Sequence, residues 1–159
     1  MKKFVDSYMM DEELKALDLG SKIITGTKFD SYHDLFTNPK WKYIGADVEV
    51  GDNVDIIIKP YKFPFSNAEF DIVISGQTIE HLEYPWEWFR EMARVLKKGG
   101  LCCIIAPAKI HEHRYPIDTF RYYPDGMKAL AKYSGLTVLE VGRIIANKKL
   151  EDTYLIAKK

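Results

Sequence analysis

Glu80 and His81 are the adjacent pair whose side chains most directly suggest chemistry in this sequence. They follow residues 70–75, a short apolar run rich in β-branched residues that is typical of a strand buried on both faces. An imidazole titrates near neutral pH and can take a proton from a hydroxyl or an amine, so His81 is a candidate general base. Glu80, the acid beside it, is a candidate substrate contact.

A second set of candidates lies in the polar, ring-rich stretch between Lys109 and Tyr123. His113 is a second candidate base for a hydroxyl acceptor. Arg114 and Arg121 carry guanidinium groups that suit a carboxylate or a phosphate on a substrate. The predicted substrate contacts are Glu80, Arg114, Asp118, Arg121 and Tyr122. A solvated loop is the alternative interpretation of this stretch.

The spacing of His111 and His113 also raises the question of a metal ion. A protein zinc site normally needs at least three firm ligands. This His-x-His pair has acids nearby, but the sequence shows neither a third firm ligand nor a helical spacing. We therefore predict no metal site.

A strand, a helix and a second strand must position Glu80 and His81. Pro85 stands where a helix would begin, because its missing N–H costs nothing at the first helical position. Apolar residues at helical spacing and a cationic last turn before a glycine complete the pattern: Trp86, Phe89, Ala93, Leu96, Lys97, Lys98 and Gly99. We expect Trp86, Trp88 and Phe89 to pack the helix against the sheet. Residues 101–106 then form a second buried strand. The unit predicts parallel strands, with Glu80 and His81 at the carboxyl end of the first, where open α/β sheets bind ligands.

Five further strands are predicted, which gives a mixed sheet of seven: 14–19, 41–47, 53–58, 136–145 and 153–157. The run Asn147-Lys148-Lys149 predicts an antiparallel hairpin for the last two. A second helix begins at Pro124 and ends before Gly135. Adjacent Cys102 and Cys103 should point to opposite faces of the sheet as small buried hydrophobes.

Length and composition limit the classes of protein. The 159 residues suffice for a core, and we expect one domain over residues 1–159, with residues 1–13 as an exposed or loosely packed lead-in. Lys plus Arg and Asp plus Glu number 23 each, so nothing indicates a nucleic-acid partner or an anionic membrane. No apolar run has the length of a membrane span, and the N-terminus lacks the apolar core of a signal peptide. We therefore expect a cytoplasmic location.

From Leu14 onward the chain resembles the class I S-adenosylmethionine-dependent methyltransferases, in the branch called the type 11 or methyltransferase-domain group. The resemblance rests on four motifs in the family's order and spacing: Phe63-Pro64-Phe65, Phe70-Asp71-Ile72-Val73, Glu80-His81-Leu82 and residues 91–100. It implies a Rossmann-like three-layer α/β fold with strand order 3-2-1-4-5-7-6 and an antiparallel last strand. It also implies methyl transfer to a small-molecule or sugar-like acceptor. In this family the Glu-His pair is often a structural link at the start of the helix, which is the alternative to catalysis.

The resemblance also implies where the cofactor, S-adenosylmethionine, would bind. Asp18 and Gly20 would hold its methionine end, Asp47 would accept hydrogen bonds from the ribose hydroxyls, and Gly76 would lie by the sulfonium. The predicted cofactor residues are Asp18, Gly20, Ser21, Asp47, Val48, Gly76 and Gln77. Ordinary turn residues at strand ends are the alternative.

Two positions depart from the family pattern. Lys22 falls at the second position of the usual glycine-rich run, although Gly20-Ser21 followed by Thr25-Gly26-Thr27 resembles a variant form of that loop. Lys59 stands where many relatives have an acid that accepts a hydrogen bond from adenine, and a lysine cannot accept one. These departures support a second interpretation, a non-catalytic methyltransferase-like binding or scaffold protein. A nicotinamide-dependent oxidoreductase is disfavoured, since the G-x-G-x-x-G turn is absent.

The connections at residues 48–52 and 60–69 are too short for full crossover helices. They leave the predicted pocket with little lid of its own. The hypothesis that follows is that a second copy of the chain, another partner chain or the lead-in closes the pocket.

Overall fold

The computed structural model describes residues 1–24, 31–147 and 149–159, and within them seven strands form one mixed sheet. The elements are α1 (Lys2–Tyr8), β1 (Leu14–Leu19), β2 (Trp41–Asp47), β3 (Ile56–Ile57), β4 (Phe70–Gly76), α2 (Pro85–Val95), β5 (Leu96–Lys109), α3 (Pro124–Tyr133), β6 (Thr137–Ile145) and β7 (Glu151–Lys158), with short 3₁₀ turns at Tyr32–Leu35 and Ile79–His81. The sheet order is β3-β2-β1-β4-β5-β7-β6, and β7 is antiparallel to both of its neighbours. The predicted Rossmann-like topology is confirmed.

The central strands are buried on both faces because successive side chains enter two different cores. Leu17 of β1 packs into the core that contains α2 and α3, whereas Ala16 packs into the core on the opposite face. Cys102 and Cys103 of β5 divide in the same way, and both are buried. The prediction for the two cysteines is therefore confirmed.

Residues 1–13 do not form the exposed or loosely packed lead-in that was predicted. They contain α1, whose Phe4 and Val5 are only 2% and 6% exposed. Both side chains pack into the second core beside Ile156 of β7. The Tyr8 hydroxyl donates a hydrogen bond of 2.6 Å to Glu140 of β6. The expectation fails because α1 supplies cover for the sheet face beside β7, a tertiary contact that no local pattern reveals.

Helix α2 begins at Pro85, as predicted, but it ends at Val95, before the two lysines. Leu96 is extended and fully buried and pairs with Phe70 in the sheet, so burial ends the helix there. Lys97 instead contacts both carboxylate oxygens of Asp71 at 2.8 and 2.9 Å. A second correction concerns Trp86, which was predicted to pack on the sheet and is 38% exposed.

The third strand is much shorter than the predicted range 53–58. Asn53 has a positive φ of 66°, and its side-chain amide donates to the Ser21 carbonyl. The Asp55 carboxylate accepts a hydrogen bond from the Gly45 N–H at 2.8 Å. These contacts build a turn against β1 and β2, which leaves only Ile56–Ile57 for the sheet.

The predicted hairpin between β6 and β7 is confirmed as antiparallel. Within its turn, the Asn147 side chain accepts hydrogen bonds from the N–H groups of Lys149 and Leu150. Lys148, which belongs to the predicted turn, lies outside the described residues, as do Thr25, Gly26 and Thr27 of the predicted variant loop. None of the helices in the described ranges has the length and apolarity that crossing a membrane requires.

The docking of α1 leads to a first prediction. Phe4→Ala removes a buried ring and should lower the free energy of unfolding by about 3 kcal/mol. Met10→Ala is the matched control, since Met10 is 66% exposed and its truncation should change the free energy by less than about 0.5 kcal/mol. Urea denaturation followed by circular dichroism measures both. Equal effects of the two substitutions would contradict the docking of α1.

Candidate functional site

The residues predicted to hold the cofactor converge at the carboxyl ends of three neighbouring strands. Asp18 and Gly20 end β1, Asp47 ends β2, and Gly76 and Gln77 end β4. The Gly20 N–H donates to the Ala46 carbonyl at 2.8 Å, which joins the first two ends. Gly20 and Gln77 have positive φ values of 80° and 55°, so both connections turn sharply as they leave the sheet. The roles of these residues toward a ligand stay predictions.

Asp47 organises the two connections on either side of it. One carboxylate oxygen accepts the Lys22 N–H at 3.1 Å, and the other accepts the Glu49 N–H at 3.2 Å. The Asp47 side chain therefore lies at the point where the β1 connection passes the end of β2. A carboxylate oxygen can accept more than one hydrogen bond, so Asp47 keeps capacity for hydroxyl donors. Val48 beside it is 49% exposed.

The Lys22 side chain lies along the connection between β2 and β3. Its ammonium pairs with Glu49 at 2.6 Å. Its methylenes pass so close to Gly51 that a Cβ on that residue would lie 2.8 Å from the nearest of them. Lys22 stands at a glycine position of the family's usual pattern, and its side chain fits because Gly51 has no side chain at the point where the lysine passes.

Asp18 is buried beneath this edge and is 2% exposed. The Tyr43 hydroxyl donates a hydrogen bond of 2.6 Å to it, and Tyr43 in turn accepts a hydrogen bond of 2.9 Å from the Asn53 side chain. Burial raises the pKa of Asp18 to about 7, the Tyr43 hydrogen bond opposes the rise, and the nearby Asp47 charge adds to it. Asp18 thus stabilises the connections that follow β1 and β2 through a chain of hydrogen bonds that runs by way of Tyr43 and Asn53.

Side chains of this chain press closely on the two glycines of the edge. A Cβ on Gly20 would lie 2.1 Å from the Thr78 hydroxyl oxygen, and one on Gly76 would lie 2.3 Å from the Tyr32 hydroxyl oxygen. Both positions therefore require glycine. Ser21 is buried, and its hydroxyl donates to the Asn53 carbonyl at 2.8 Å. Sequence patterns gave no sign of Thr78, Tyr32 or Asn53 at this edge.

Past β4, an acid and two imidazoles meet in a group we name the Glu80 cluster, which consists of Glu80, His81 and His113. The cluster joins the Ile79–His81 turn to the loop between β5 and α3. One Glu80 oxygen lies 3.7 Å from Nε2 of His81 and 4.0 Å from Nε2 of His113. The two rings meet edge to face with centroids 5.1 Å apart. The pattern of the sequence therefore pointed to both candidate bases without showing that they share one carboxylate.

Glu80 has a buried, poorly compensated carboxyl. The residue is 0% exposed, and neither carboxylate oxygen has a hydrogen-bond partner among the described residues. Burial raises the pKa of this carboxyl to about 8, while its own backbone N–H and the Arg121 guanidinium oppose the rise. Burial also lowers the pKa of His81, so its imidazole is neutral at neutral pH.

Asp118 and Arg121 form the outer wall of the cluster. The guanidinium contacts both carboxylate oxygens, at 2.5 and 2.6 Å, and also donates to the His111 carbonyl. Its hydrogen bonds lower the pKa of Asp118, which also accepts the His113 N–H at 2.7 Å. Arg121 is therefore committed to Asp118, although it was predicted to hold a substrate anion. Arg114 is exposed and pairs with Glu112.

Tyr122 does not lie on an open substrate rim. It is 5% exposed, and its hydroxyl donates a hydrogen bond of 2.8 Å to the Ile79 carbonyl. The prediction that it faces an acceptor is therefore wrong. Its place in the core follows from the helix that begins at Pro124, because that helix packs against the same face of the sheet.

Comparisons with known proteins agree with this geometry. A family model described as a methyltransferase domain matches residues 36–104. A curated relative, an uncharacterized methyltransferase of Mycobacterium tuberculosis, is 33% identical over 75 residues, which cover 44% of this chain and 28% of the relative. Over this central part the chain is similar to the S-adenosylmethionine-dependent methyltransferases that its sequence motifs resemble.

Two solved structures of methyltransferases have the same fold as this chain. A SAM-dependent methyltransferase from Aquifex aeolicus is 20% identical with a TM-score of 0.67, and the match covers 98% of this chain and 88% of that one. Phosphoethanolamine N-methyltransferase 2 from Haemonchus contortus, solved with S-adenosyl-L-methionine, is 16% identical with a TM-score of 0.74, and the match covers 99% of this chain and 50% of that one. At these identities the likeness concerns the fold.

The buried Asp18 carboxyl leads to a second prediction. Its pKa is raised from 3.8 to about 7, so between these values the folded state keeps a proton that the unfolded state has lost. The resulting stabilisation is complete below about pH 4 and is lost as the pH rises through about 7. In Asp18→Asn the amide oxygen still accepts the Tyr43 hydrogen bond but does not titrate.

Urea denaturation at about pH 5 and about pH 8 tests this linkage. Relative to the wild type, Asp18→Asn should gain free energy of unfolding between the two conditions, by at most about 1.4 kcal/mol per pH unit. Asp125→Asn is the control, because the Asp125 side chain is 95% exposed. A constant difference between wild type and Asp18→Asn at both pH values would show that Asp18 is ionised throughout.

Proposed function

We propose that this domain binds S-adenosylmethionine at the carboxyl ends of β1, β2 and β4 and transfers its methyl group to a small-molecule or sugar-like acceptor. The observation that carries the proposal is the position of Asp47 beside the turn at Gly20, at the edge where α/β sheets of this kind bind ligands. The match of residues 36–104 to a methyltransferase-domain model supports methyl transfer. The complex of the Haemonchus contortus enzyme with S-adenosyl-L-methionine supports the cofactor.

The residues at the edge suit the parts of this cofactor. The free capacity of the Asp47 carboxylate fits two ribose hydroxyls, which are hydrogen-bond donors. The exposed Val48 offers apolar surface beside Asp47 for the adenine ring.

The sulfonium group supplies an activated methyl carbon, which an acceptor lone pair attacks in line while the carbon–sulfur bond breaks. The main task of the protein is then to align the acceptor, an effect that reaches about 7–11 kcal/mol in model systems. A hydroxyl acceptor must also lose a proton. Nδ1 of His81 lies 2.6 Å from the Ile117 carbonyl, so Nδ1 carries the hydrogen and Nε2 is the basic nitrogen. The proton would pass to Nε2 of His81 or of His113.

The acceptor is inferred from the surroundings of the Glu80 cluster. His81 and His113 are partly exposed, with 15% and 33% of their side chains accessible, so an acceptor can reach them. Arg114 on the same loop is an exposed cation, and a carboxylate or phosphate on that acceptor would compete with Glu112 for its guanidinium. A cytoplasmic location and closure of the pocket by a partner chain or a second copy remain part of the proposal.

Three contacts favour a second candidate, a methyltransferase-like binding or scaffold protein. Thr78 and Tyr32 press on the two glycines at which the cofactor would approach. The Lys22–Glu49 pair lies across the connection next to Asp47. If these side chains keep their places when the cofactor is offered, the edge is too full to bind it.

Calorimetric titration with S-adenosylhomocysteine distinguishes the two candidates and gives a third prediction. The wild type should bind at micromolar concentration. Asp47→Asn loses the negative charge and part of the acceptor capacity for the ribose hydroxyls, so it should bind at least about tenfold more weakly, which corresponds to about 1.4 kcal/mol. Asp52→Asn is the matched control on the same connection and should bind like the wild type.

Absence of heat with the wild type at millimolar ligand would support the scaffold candidate. Equal weakening in both variants would show that the ribose does not lie at Asp47, whatever the affinity of the wild type. Circular dichroism of each variant confirms that the comparison is made between folded proteins.

A further inference from the structure

Glu80 presents an unusual combination of burial and missing partners. It is completely buried, and within the described part of the chain neither oxygen accepts a hydrogen bond. Leaving a buried polar group unpaired costs several kcal/mol in general, and for that reason buried carboxylates are normally paired with hydrogen-bond donors or bind a metal ion. The two nearest imidazole nitrogens, at 3.7 and 4.0 Å, are too distant for hydrogen bonds.

The two histidines turn their Nε2 atoms toward this carboxylate. Nδ1 of His81 lies 2.6 Å from the Ile117 carbonyl, and a carbonyl only accepts, so Nδ1 carries the hydrogen. Nδ1 of His113 lies 3.2 Å from the His111 carbonyl and 3.6 Å from an Asp118 oxygen, which favours the same tautomer. Each Nε2 therefore offers a lone pair on the side of Glu80. Metal-bound histidines characteristically donate their outer N–H to a carbonyl or a carboxylate in this way.

We propose that Glu80, His81 and His113 bind a divalent transition-metal ion of the Zn²⁺ type. One ligand atom from each of the three residues lies within 4.8 Å of the others, and Nε2 of His81 and of His113 lies 3.7 and 4.0 Å from the same Glu80 oxygen. Around a tetrahedral ion with bonds of about 2.0–2.2 Å, ligand atoms lie about 3.3–3.5 Å apart, so side-chain shifts of about 1 Å close the set. Three protein ligands leave a further position for water or a substrate atom. The site extends beyond the proposed function. An ion bound to both Nε2 atoms would use the lone pairs that otherwise accept the proton of a hydroxyl acceptor, so at these histidines the two roles exclude each other.

The charges around the cluster fit a cation. The Arg121 guanidinium contacts both oxygens of Asp118, which balances its charge. The remaining ligand set carries one negative charge on Glu80 when its proton is displaced. Two imidazoles with a single carboxylate suit zinc, iron, cobalt or nickel, whereas magnesium prefers oxygen ligands and retained water. The ion can enter past His113, whose side chain is 33% exposed.

The test uses the full chain without an affinity tag, freed of metal with a chelator and titrated with Zn²⁺ by calorimetry. We expect one Zn²⁺ per chain at micromolar concentration or below, with much weaker binding of Mg²⁺. Loss of an outer partner alone costs about 10- to 100-fold in affinity at such sites, so His113→Ala should weaken Zn²⁺ binding by at least about 100-fold. Titration with Co²⁺ adds a visible absorption spectrum that reports the number of ligands and should change in His113→Ala.

His111→Ala is the matched control, because it removes an imidazole from the same loop that lies outside the Glu80 cluster. It should keep both the affinity and the Co²⁺ spectrum. Glu80→Gln is a second variant of nearly unchanged shape that should also weaken binding, and circular dichroism checks that each variant is folded. Failure of the wild type to bind Zn²⁺, or equal losses in His111→Ala and His113→Ala, would overturn the proposal. No S-adenosylmethionine is present, so the outcome is separate from that of the proposed function.

Discussion

The parallel pairing of β1 with β2 on one side and β4 on the other is the constraint on which the rest of the structure depends. Asp18 lies opposite Gly45 in one pairing and opposite Ile74 in the other. A slip by one residue would turn every side chain of β1 to the other face, which would move Asp18 away from Tyr43 and place Leu17 in the wrong core. The register therefore brings the three strand ends to one edge. It also decides that Asp18 lies on the face where Tyr43 can reach it. Burial on both faces makes any other register costly.

A second set of contacts fixes the loop between β5 and α3 against this edge. Thr119 donates from its N–H and its hydroxyl to the Glu80 carbonyl, and Tyr122 donates from its hydroxyl to the Ile79 carbonyl. The Thr153 hydroxyl of β7 holds the Tyr122 carbonyl at 2.6 Å. The turn after β4 and the histidine loop are thus joined through backbone groups. The distances within the Glu80 cluster follow from these anchors, so the cluster can be assembled before any ligand arrives.

The elements predicted well from the sequence are those whose burial leaves a local pattern. The boundaries of β1 and β2 match the predicted ranges, and both helices that begin with a proline begin where expected. Contacts between distant residues determined the others. Phe4 docks on strands far along the chain, and Leu96 leaves its helix to pair with Phe70. Periodicity carries no information about either partner.

The site shows the same division between local and distant information. Its edge was predictable, since the topology determines where the strand ends meet. The Glu80 cluster was not, since His113 follows the Glu-His pair only after a helix, a strand and part of a loop. The spacing of His111 and His113 carries no information about this contact. The partner of His113 is a carboxylate that the fold brings across from the end of another strand.

The two buried carboxyls at this edge, Asp18 and Glu80, differ in whether the protein itself supplies their hydrogen-bond partners. Asp18 receives the Tyr43 hydroxyl, which Asn53 holds in place, so its polar atoms are used within the protein. Glu80 is buried as deeply, yet the described residues direct lone pairs toward it and no hydrogens. Two acceptors and a carboxylate facing one another are stabilised by a shared proton or by a cation. At 3.7 and 4.0 Å neither imidazole nitrogen is close enough to share a proton with Glu80 in this arrangement, and the metal ion proposed above would supply the missing partner.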